Sequence, residues 1–280
     1  MTKDTKKVVL ITGASSGIGQ ASAHYLHEKG YHVYGTSRKS ERRRSTGSKM
    51  DRGEHFPMLH MDVTSDISVR QGIEYIGKKE GRIDVVVNNA GFGIAGAIED
   101  TSIDEAQAQF ETNVWGALRV SKTVLPIMRD QQSGYIVNIS SIGGHIAIPF
   151  QGLYCAAKFA LEGLTEALSM EVRPFGIRVV LLEPGDCCTR FTANRCRTME
   201  SQRNQAYTKQ CNAAVGVMEH DEMYGLAPDK VARVLERIIR NPSPRLRYAV
   251  APPPQKLALV LKKVLPSRFF EFLIMKYYKL

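Results

Sequence analysis

Tyr154 and Lys158 stand four residues apart at the start of a stretch with helical periodicity, which sets both side chains on one helix face. A phenol with a pKa near ~10 is only about 0.1% ionised at neutral pH. A neighbouring ammonium stabilises the phenolate by ~1.4 kcal/mol for each unit of pKa it removes. Such a tyrosine can exchange a proton with a hydroxyl or carbonyl oxygen. Taken alone the spacing is weak evidence, because most Tyr-x-x-x-Lys pairs lie on surfaces.

A second pattern supplies a partner for that chemistry. Thr12-Gly13-Ala14-Ser15-Ser16-Gly17-Ile18-Gly19 joins a short apolar run to a helical stretch. Its glycines allow a sharp turn and close approach of a bulky anion, and the helix N-terminus offers unpaired N–H groups. A pyrophosphate fits this turn, with Gly13, Ser15, Ser16, Gly17, Ile18 and Gly19 around it. The next strand ends at Thr36-Ser37-Arg38. An acid here would bind a ribose 2′-hydroxyl, whereas Ser37 and Arg38 suit a 2′-phosphate, so NADP(H) is favoured over NAD(H). Arg42, Arg43 and Arg44 either reinforce that preference or form a solvated charge run.

These residues need a scaffold, and the hydropathy pattern gives one. Short β-branched runs at 7–12, 31–36, 56–61, 83–88, 135–140, 177–183 and 246–250 read as seven strands. Helical patterns at 18–29, 66–79, 102–129, 153–172 and 228–239 alternate with them. The expected fold is α/β: a single Rossmann-like, doubly wound parallel sheet of about seven strands, with helices on both faces and a C-terminal helical extension. Ligands of such sheets sit at the carboxyl ends of the strands. The expected organisation is a catalytic nucleotide-binding domain over 1–250 and a basic amphipathic extension over 251–280. Within the former, the polar segment 190–226 is read as a substrate lid or an exposed helical excursion.

The chain has 280 residues and a net charge of +10. That charge favours anionic partners, but no aromatic-interleaved basic groove accompanies it, so nucleic acid is not an expected partner. Cys155, Cys187, Cys188, Cys196 and Cys211 form no CxxC pair, and no metal site is expected. The cysteines at 155, 187 and 188 are read as packing residues. His24 and His27 lack further ligands, Trp115 reads as a packing residue, and Glu28, Glu162 and Glu166 read as helix-surface acids. The start carries no signal-peptide core, and no apolar run is long enough to span a bilayer. A soluble, cytoplasmic protein is expected.

Further motifs keep company with the tyrosine. They are Asn88-Asn89-Ala90-Gly91, Asn113-Val-Trp-Gly116, Ile139-Ser140-Ser141 and Pro184-Gly185-x-x-x-Thr189. With the glycine turn they resemble the short-chain dehydrogenase/reductase family over roughly residues 6–250. The resemblance implies Tyr154 as acid/base, Ser141 polarising the substrate oxygen, Lys158 lowering the tyrosine pKa and holding the nicotinamide ribose, and Asn113 supporting a water-linked proton relay. It assigns Asp62 and Val63 to the adenine; the lesser reading of Asp62 is an N-cap or loop acid. It sets Asn89, Ala90 and Gly91 along the adenosine ribose, and Pro184, Gly185 and Thr189 about the nicotinamide. Asp186-Cys187-Cys188 departs from the apolar residues usual at that place.

The segments at 141–144 and 154–164 resemble the branch holding 17β-hydroxysteroid and retinol dehydrogenases. An apolar carbonyl or alcohol substrate is therefore expected, and Ile94, Ile142, Ile146, Ile148, Phe150 and Leu153 supply apolar loops for it. Members of the family commonly form homodimers or homotetramers, and the same is expected here. A dinucleotide-sensing protein with little turnover is the other reading. The tail 255–280 carries six Lys/Arg against Glu271 and is strongly apolar. It fits a helix docked on its own domain, peripheral membrane contact, subunit packing or a roof over the cleft.

Overall fold

The computed structural model describes residues 6–38 and 55–280; Arg42, Arg43 and Arg44 therefore lie outside the described residues. Seven strands form one parallel sheet: β1 (Val8–Ile11), β2 (His32–Ser37), β3 (Met58–His60), β4 (Val85–Asn88), β6 (Gly134–Ile139), β7 (Ile177–Pro184) and β9 (Arg247–Val250), in the order β3-β2-β1-β4-β6-β7-β9. The chain winds outward from β1 to β3 and then crosses to β4 on the other side of β1. That reversal leaves a crevice above the carboxyl ends of β1 and β4, where doubly wound sheets bind ligands. The architecture is Rossmann-like, as expected.

Alternation of side chains along the strands makes two cores. Val9, Ile11, Val85, Val87, Val137, Val180 and Leu182 face α1 (Gly17–Glu28) and α7 (Pro228–Arg240). Val8, Leu10, Val86, Ile136, Ile177 and Val179 face α2 (Asp66–Glu80), α4 (Gly116–Asp130) and α5 (Gly152–Glu171). Strands apolar on both faces are what a sheet covered on both sides requires.

The helix expected over 102–129 is interrupted. A capping box between Ser102 and Glu105 starts α3 (Ile103–Phe110), a π-helical turn spans Glu111–Trp115, and α4 continues from it. Such wide turns insert a residue and re-aim side chains; this one carries Asn113. Trp115 is 45% exposed, so it does not pack in the core as expected from sequence.

The segment 190–226 holds β8 (Cys196–Arg197), paired with β5 (Ile94–Ala95) as a small second sheet, and α6 (Gln205–Met223). Cys211, Ala214, Val215 and Met218 of α6 form a third apolar cluster with Ala95, against which Ile148, Phe150 and Tyr278 pack. The tail is two helices, α8 (Pro253–Val264) and α9 (Ser267–Tyr277).

Candidate active site

The glycine turn explains its own composition. Gly13 and Gly17 take φ of +65° and +59°, where a side chain is strained. A Cβ on Gly13 would meet Ala90 Cα at 2.9 Å; one on Gly19 would meet Gly13 O at 2.5 Å and overlap the Asn89 amide. The turn is pinned to β4: Asn89 Nδ2 donates to Thr12 O at 2.8 Å and Gly13 O at 3.1 Å. Thr12 Oγ1 accepts the N–H groups of Asn89 and Ala90, both at 3.0 Å. The Asn89 side chain thus shapes the turn.

Beyond the turn lies a cleft of about 740 Å³ lined by Ser15, Ser16, Gly17, Gln20, Cys188, Thr189 and Arg190 among others. A Cβ on Gly17 would sit 3.4 Å from Thr189 Cβ, so Thr189 closes the cleft from across the sheet edge. At the end of β2, Ser37 is buried and Arg38 is exposed. Asp62 follows β3. Its Oδ1 accepts the N–H and hydroxyl of Thr64 at 3.0 and 2.8 Å, a loop-turn role, while Ser65 caps α2. Val63 packs under Gly116, whose bare α-carbon leaves it room.

Tyr154 and Lys158 lie on the first turns of α5, with Lys158 Nζ 5.7 Å from the Tyr154 ring centroid. Ser141 follows β6, within hydrogen-bonding reach of the Tyr154 hydroxyl. Gly143 N–H donates to Ser141 Oγ at 3.0 Å, which fixes the serine. Burial raises the Tyr154 pKa, opposed by the bond to Ser141. Burial also pushes the Lys158 ammonium down to about 8, opposed by Glu162. Lys158 Nζ donates to Ile139 O at 2.7 Å, so the end of β6 anchors it. Within the protein alone, burial outweighs the bond to Ser141.

Asn113 comes to the same crevice but grips the loop after β4. Its Oδ1 accepts Phe92 N–H at 3.1 Å and its Nδ2 donates to Phe92 O at 2.9 Å. Gly91 leaves space for this amide, since a Cβ there would lie 3.1 Å from Asn113 Oδ1. Pro184 ends β7, and Gly185 N–H donates to Val250 O at 3.0 Å.

Several contributors were missed by sequence reasoning. Phe191 meets the Tyr154 ring edge-on, with centroids 5.6 Å apart, and Arg195 lies over it from its ion pair with Glu222. Gln255 of α8 clamps Asp186: its Oε1 accepts Asp186 N–H at 3.1 Å and its Nε2 donates to the carboxylate. Burial and the nearby Glu222 push Asp186 up to about 6. Asn88, Asn138 and Thr165 form a buried polar ladder, with bonds of 2.8 Å from Asn88 to Asn138 and from Asn138 to Thr165. Its sequence signals were Asn88 at the end of one strand and a lone Asn138 inside the apolar strand at 135–140.

Two readings of lone residues need correction. Glu162 is buried, not a surface acid: Arg247 pairs with it at 2.9 Å and with Glu183 at 3.4 Å, and His145 lies 3.2 Å from Glu183. His145, Glu162 and Glu183 come close enough together to chelate an ion, but Arg247 already pairs with both carboxylates. Cys188 is exposed, whereas Cys155 and Cys187 are packing residues.

The model of the short chain dehydrogenase family matches residues 7–200. The chain belongs to the short-chain dehydrogenase/reductase family. It is 42% identical over 272 residues to a 3-ketodihydrosphingosine reductase of Bacteroides thetaiotaomicron, covering 97% of this chain and 98% of the relative. It is 34% identical over 255 residues to retinol dehydrogenase 8 of Bos taurus, covering 87% and 81%. The crystal structure of a short-chain dehydrogenase from Streptomyces avermitilis superposes with a TM-score of 0.81 at 30% identity, over 99% and 98% of the two chains. Other solved structures of this fold hold NADP or NAD. The protein is an oxidoreductase of this family, with a nicotinamide-nucleotide fold and a small-molecule substrate.

Proposed function

We propose that the protein is an NADP(H)-dependent reductase of a lipophilic ketone, or dehydrogenase of the matching secondary alcohol. One juxtaposition carries this reading: the Tyr154 hydroxyl within reach of Ser141, beside Lys158, on the sheet edge that also holds the glycine turn. The cradle fits a dinucleotide: the turn is drawn tight against Ala90 and Asn89, with no room for a Cβ at Gly13 or Gly19, and Ser15, Ser16 and Gly17 line the open cleft beyond it. Gly13, Ser15, Ser16, Gly17, Ile18 and Gly19 would hold its pyrophosphate. Asp62 and Val63 would border the adenine, with Asn89, Ala90 and Gly91 along the ribose. Ser37 and Arg38 would take a 2′-phosphate, and Pro184, Gly185 and Thr189 the nicotinamide end.

When bound, the nicotinamide supplies or accepts the hydride. Ser141 donates a hydrogen bond to the substrate oxygen and orients it toward Tyr154. In reduction, Tyr154 gives its phenolic proton to that oxygen as negative charge builds there. Lys158 holds the ribose and its charge favours the resulting phenolate, which burial alone disfavours. Asn113 supports proton return as a positioning residue, through the Phe92 backbone it fixes.

The substrate side is apolar. Phe191 meets the tyrosine edge, Ile148, Phe150 and Tyr278 pack on the α6 cluster, and residues 190–226, α6 included, act as its lid. Phe150 holds a φ of +60°, rare for an aromatic residue, and its carbonyl accepts Gly96 N–H at 2.9 Å. The compound named for the 42%-identical relative, 3-ketodihydrosphingosine, heads the candidates, with steroid- and retinoid-like ketones behind it. On this reading residues 1–250 are the catalytic domain of a homodimer or homotetramer, and α8–α9 is a C-terminal extension.

Absorbance at 340 nm, followed for lipophilic and small charged carbonyls with each nicotinamide cofactor, tests the proposal. Turnover of long-chain ketones with NADPH, abolished in Tyr154→Phe, is expected. Turnover restricted to small charged compounds, or undiminished in Tyr154→Phe, overturns it.

A further inference from the structure

The helices α8 and α9 present two unlike sides. Toward the body, Gln255 clamps Asp186, Tyr277 donates to Asp221 Oδ2 at 2.6 Å, and Tyr278 packs on the α6 cluster. Phe270 is the one buried residue of the two helices. Outward, α8 exposes Leu257, Val260 and Val264 at a spacing that forms one stripe, and α9 exposes Phe269, Phe272 and Met275. These six are 43–68% accessible, and the rings of Phe269 and Phe272 stack 6.5 Å apart. Lys256, Lys262, Lys263, Arg268, Lys276 and Lys279 of the same segment are all exposed, Lys262 with its ammonium 5.2 Å from the Phe270 ring centroid. The lone acid, Glu271, is paired with Arg268 at 2.9 Å.

An apolar face of this extent, in a segment with these exposed cations, marks a docking surface. Charge selects the occupant. A second copy of the chain would set six Lys/Arg against six more with a single Glu271 on each side, which is repulsive. A surface of anionic lipid complements them. Neither helix is long enough to cross a bilayer, at 12 and 11 residues, so both would lie in its interface.

We infer that the outward face of α8–α9 docks on an anionic lipid bilayer. The six apolar side chains enter the boundary between headgroups and acyl chains, and the Lys/Arg side chains meet the headgroup charges. Because Gln255 and Tyr278 on the other side of the same helices touch the Pro-Gly loop and the α6 cluster, docking sets the cleft against the lipid that would carry an apolar ketone. This last step rests on the proposed function; the docking itself does not.

Co-sedimentation of the full chain with vesicles tests it. Phosphatidylcholine vesicles containing phosphatidylglycerol should pellet the protein at least about tenfold better than pure phosphatidylcholine, with the difference shrinking in high salt. A combined Leu257→Gln, Val264→Gln, Phe269→Gln, Phe272→Gln variant should lose pelleting at least tenfold. Its thermal melt and its turnover of a small water-soluble ketone should be unchanged, since these side chains touch neither core nor site. Equal pelleting of wild type and variant overturns the inference, as does a wild type that ignores anionic vesicles. So does a wild type that ignores vesicles yet loses mass by light scattering on mutation, which would assign the face to a second copy. If the wild type binds vesicles but reduces no ketone, the proposed function fails and the docking stands.

Discussion

The side chain of Asn113 holds both backbone groups of Phe92, accepting its N–H at 3.1 Å and donating to its carbonyl at 2.9 Å. The amide therefore sets the path of the loop after β4, next to Gly91. Replacing it with leucine strands the Phe92 N–H, at ~1–3 kcal/mol, while the Phe92 carbonyl keeps its second donor, Gln109 Nε2 at 2.6 Å. Asn113→Leu should lower the melting temperature by several degrees and kcat/KM by about 10²-fold. Asn113→Asp keeps the acceptor for the Phe92 N–H but turns a carboxylate oxygen toward the Phe92 carbonyl in a buried site, so it should destabilise the protein more than leucine does. Thermal melts of the two variants check the ordering, and equal melts would remove the positioning role.

Lys158 gives a test in which pH is the variable. Its folded pKa is about 8 against 10.5 for an unhindered lysine, with burial as the leading cause. Between those values the unfolded chain carries a proton that the folded chain has lost, so stability rises with pH across this window. The slope from this one group is at most ~1.4 kcal/mol per pH unit. Lys158→Met removes it. Unfolding free energies from urea titrations at pH 7.5, 8.5 and 9.5 should rise in wild type relative to the variant by about 1–2 kcal/mol in total, and the variant should be inactive. Parallel curves would refute a strongly depressed lysine.

Much of this was legible in the chain because parallel sheets write themselves plainly. The run at 8–11 is apolar on consecutive positions, which only a strand covered on both faces needs, and the glycines at 13, 17 and 19 follow directly. Tyr154, Ser141 and Lys158 could be aligned because motif spacing survives any loop geometry. What stayed hidden depends on contacts between distant segments. Gln255 reaching Asp186, Arg247 reaching Glu162, and Phe191 meeting Tyr154 carry no local periodicity or turn chemistry. The π turn was invisible for another reason: one added residue barely shifts the apolar spacing of a long helix. The burial of Tyr154 was hidden as well, since the spacing of two residues says nothing of how dry their surroundings are.

Asp186 titrates in the opposite sense to a paired carboxylate. Burial and Glu222 raise its pKa from 3.8 to about 6. The folded state therefore holds a proton between those values that the unfolded state has released. Stability from this group is present below about pH 3.8 and is lost as pH rises through about 6. Asp186→Asn keeps an acceptor for Gln255 and cannot ionise, so it should stabilise the protein by about 1–2 kcal/mol at pH 7.5 and hardly at all at pH 4. Differential scanning calorimetry at the two pH values checks this. A variant less stable at pH 7.5 would mean that the charged carboxylate is needed for the clamp.

Cofactor choice turns on the end of β2, where Ser37 is buried and Arg38 is exposed on the edge shared with the glycine turn. A guanidinium there can form charge-assisted bonds to a 2′-phosphate, worth ~1.5–3 kcal/mol, whereas a carboxylate at 37 would repel that phosphate and bind a hydroxyl. The double change Ser37→Asp, Arg38→Leu should lower kcat/KM for NADPH by about 10²-fold and raise that for NADH. Because neither residue touches Tyr154, kcat at saturating cofactor should move little, so the effect should fall in KM. Steady-state rates with both cofactors decide it. If preference is unchanged in the double variant, the discrimination lies elsewhere, and the argument from Ser37 and Arg38 is lost.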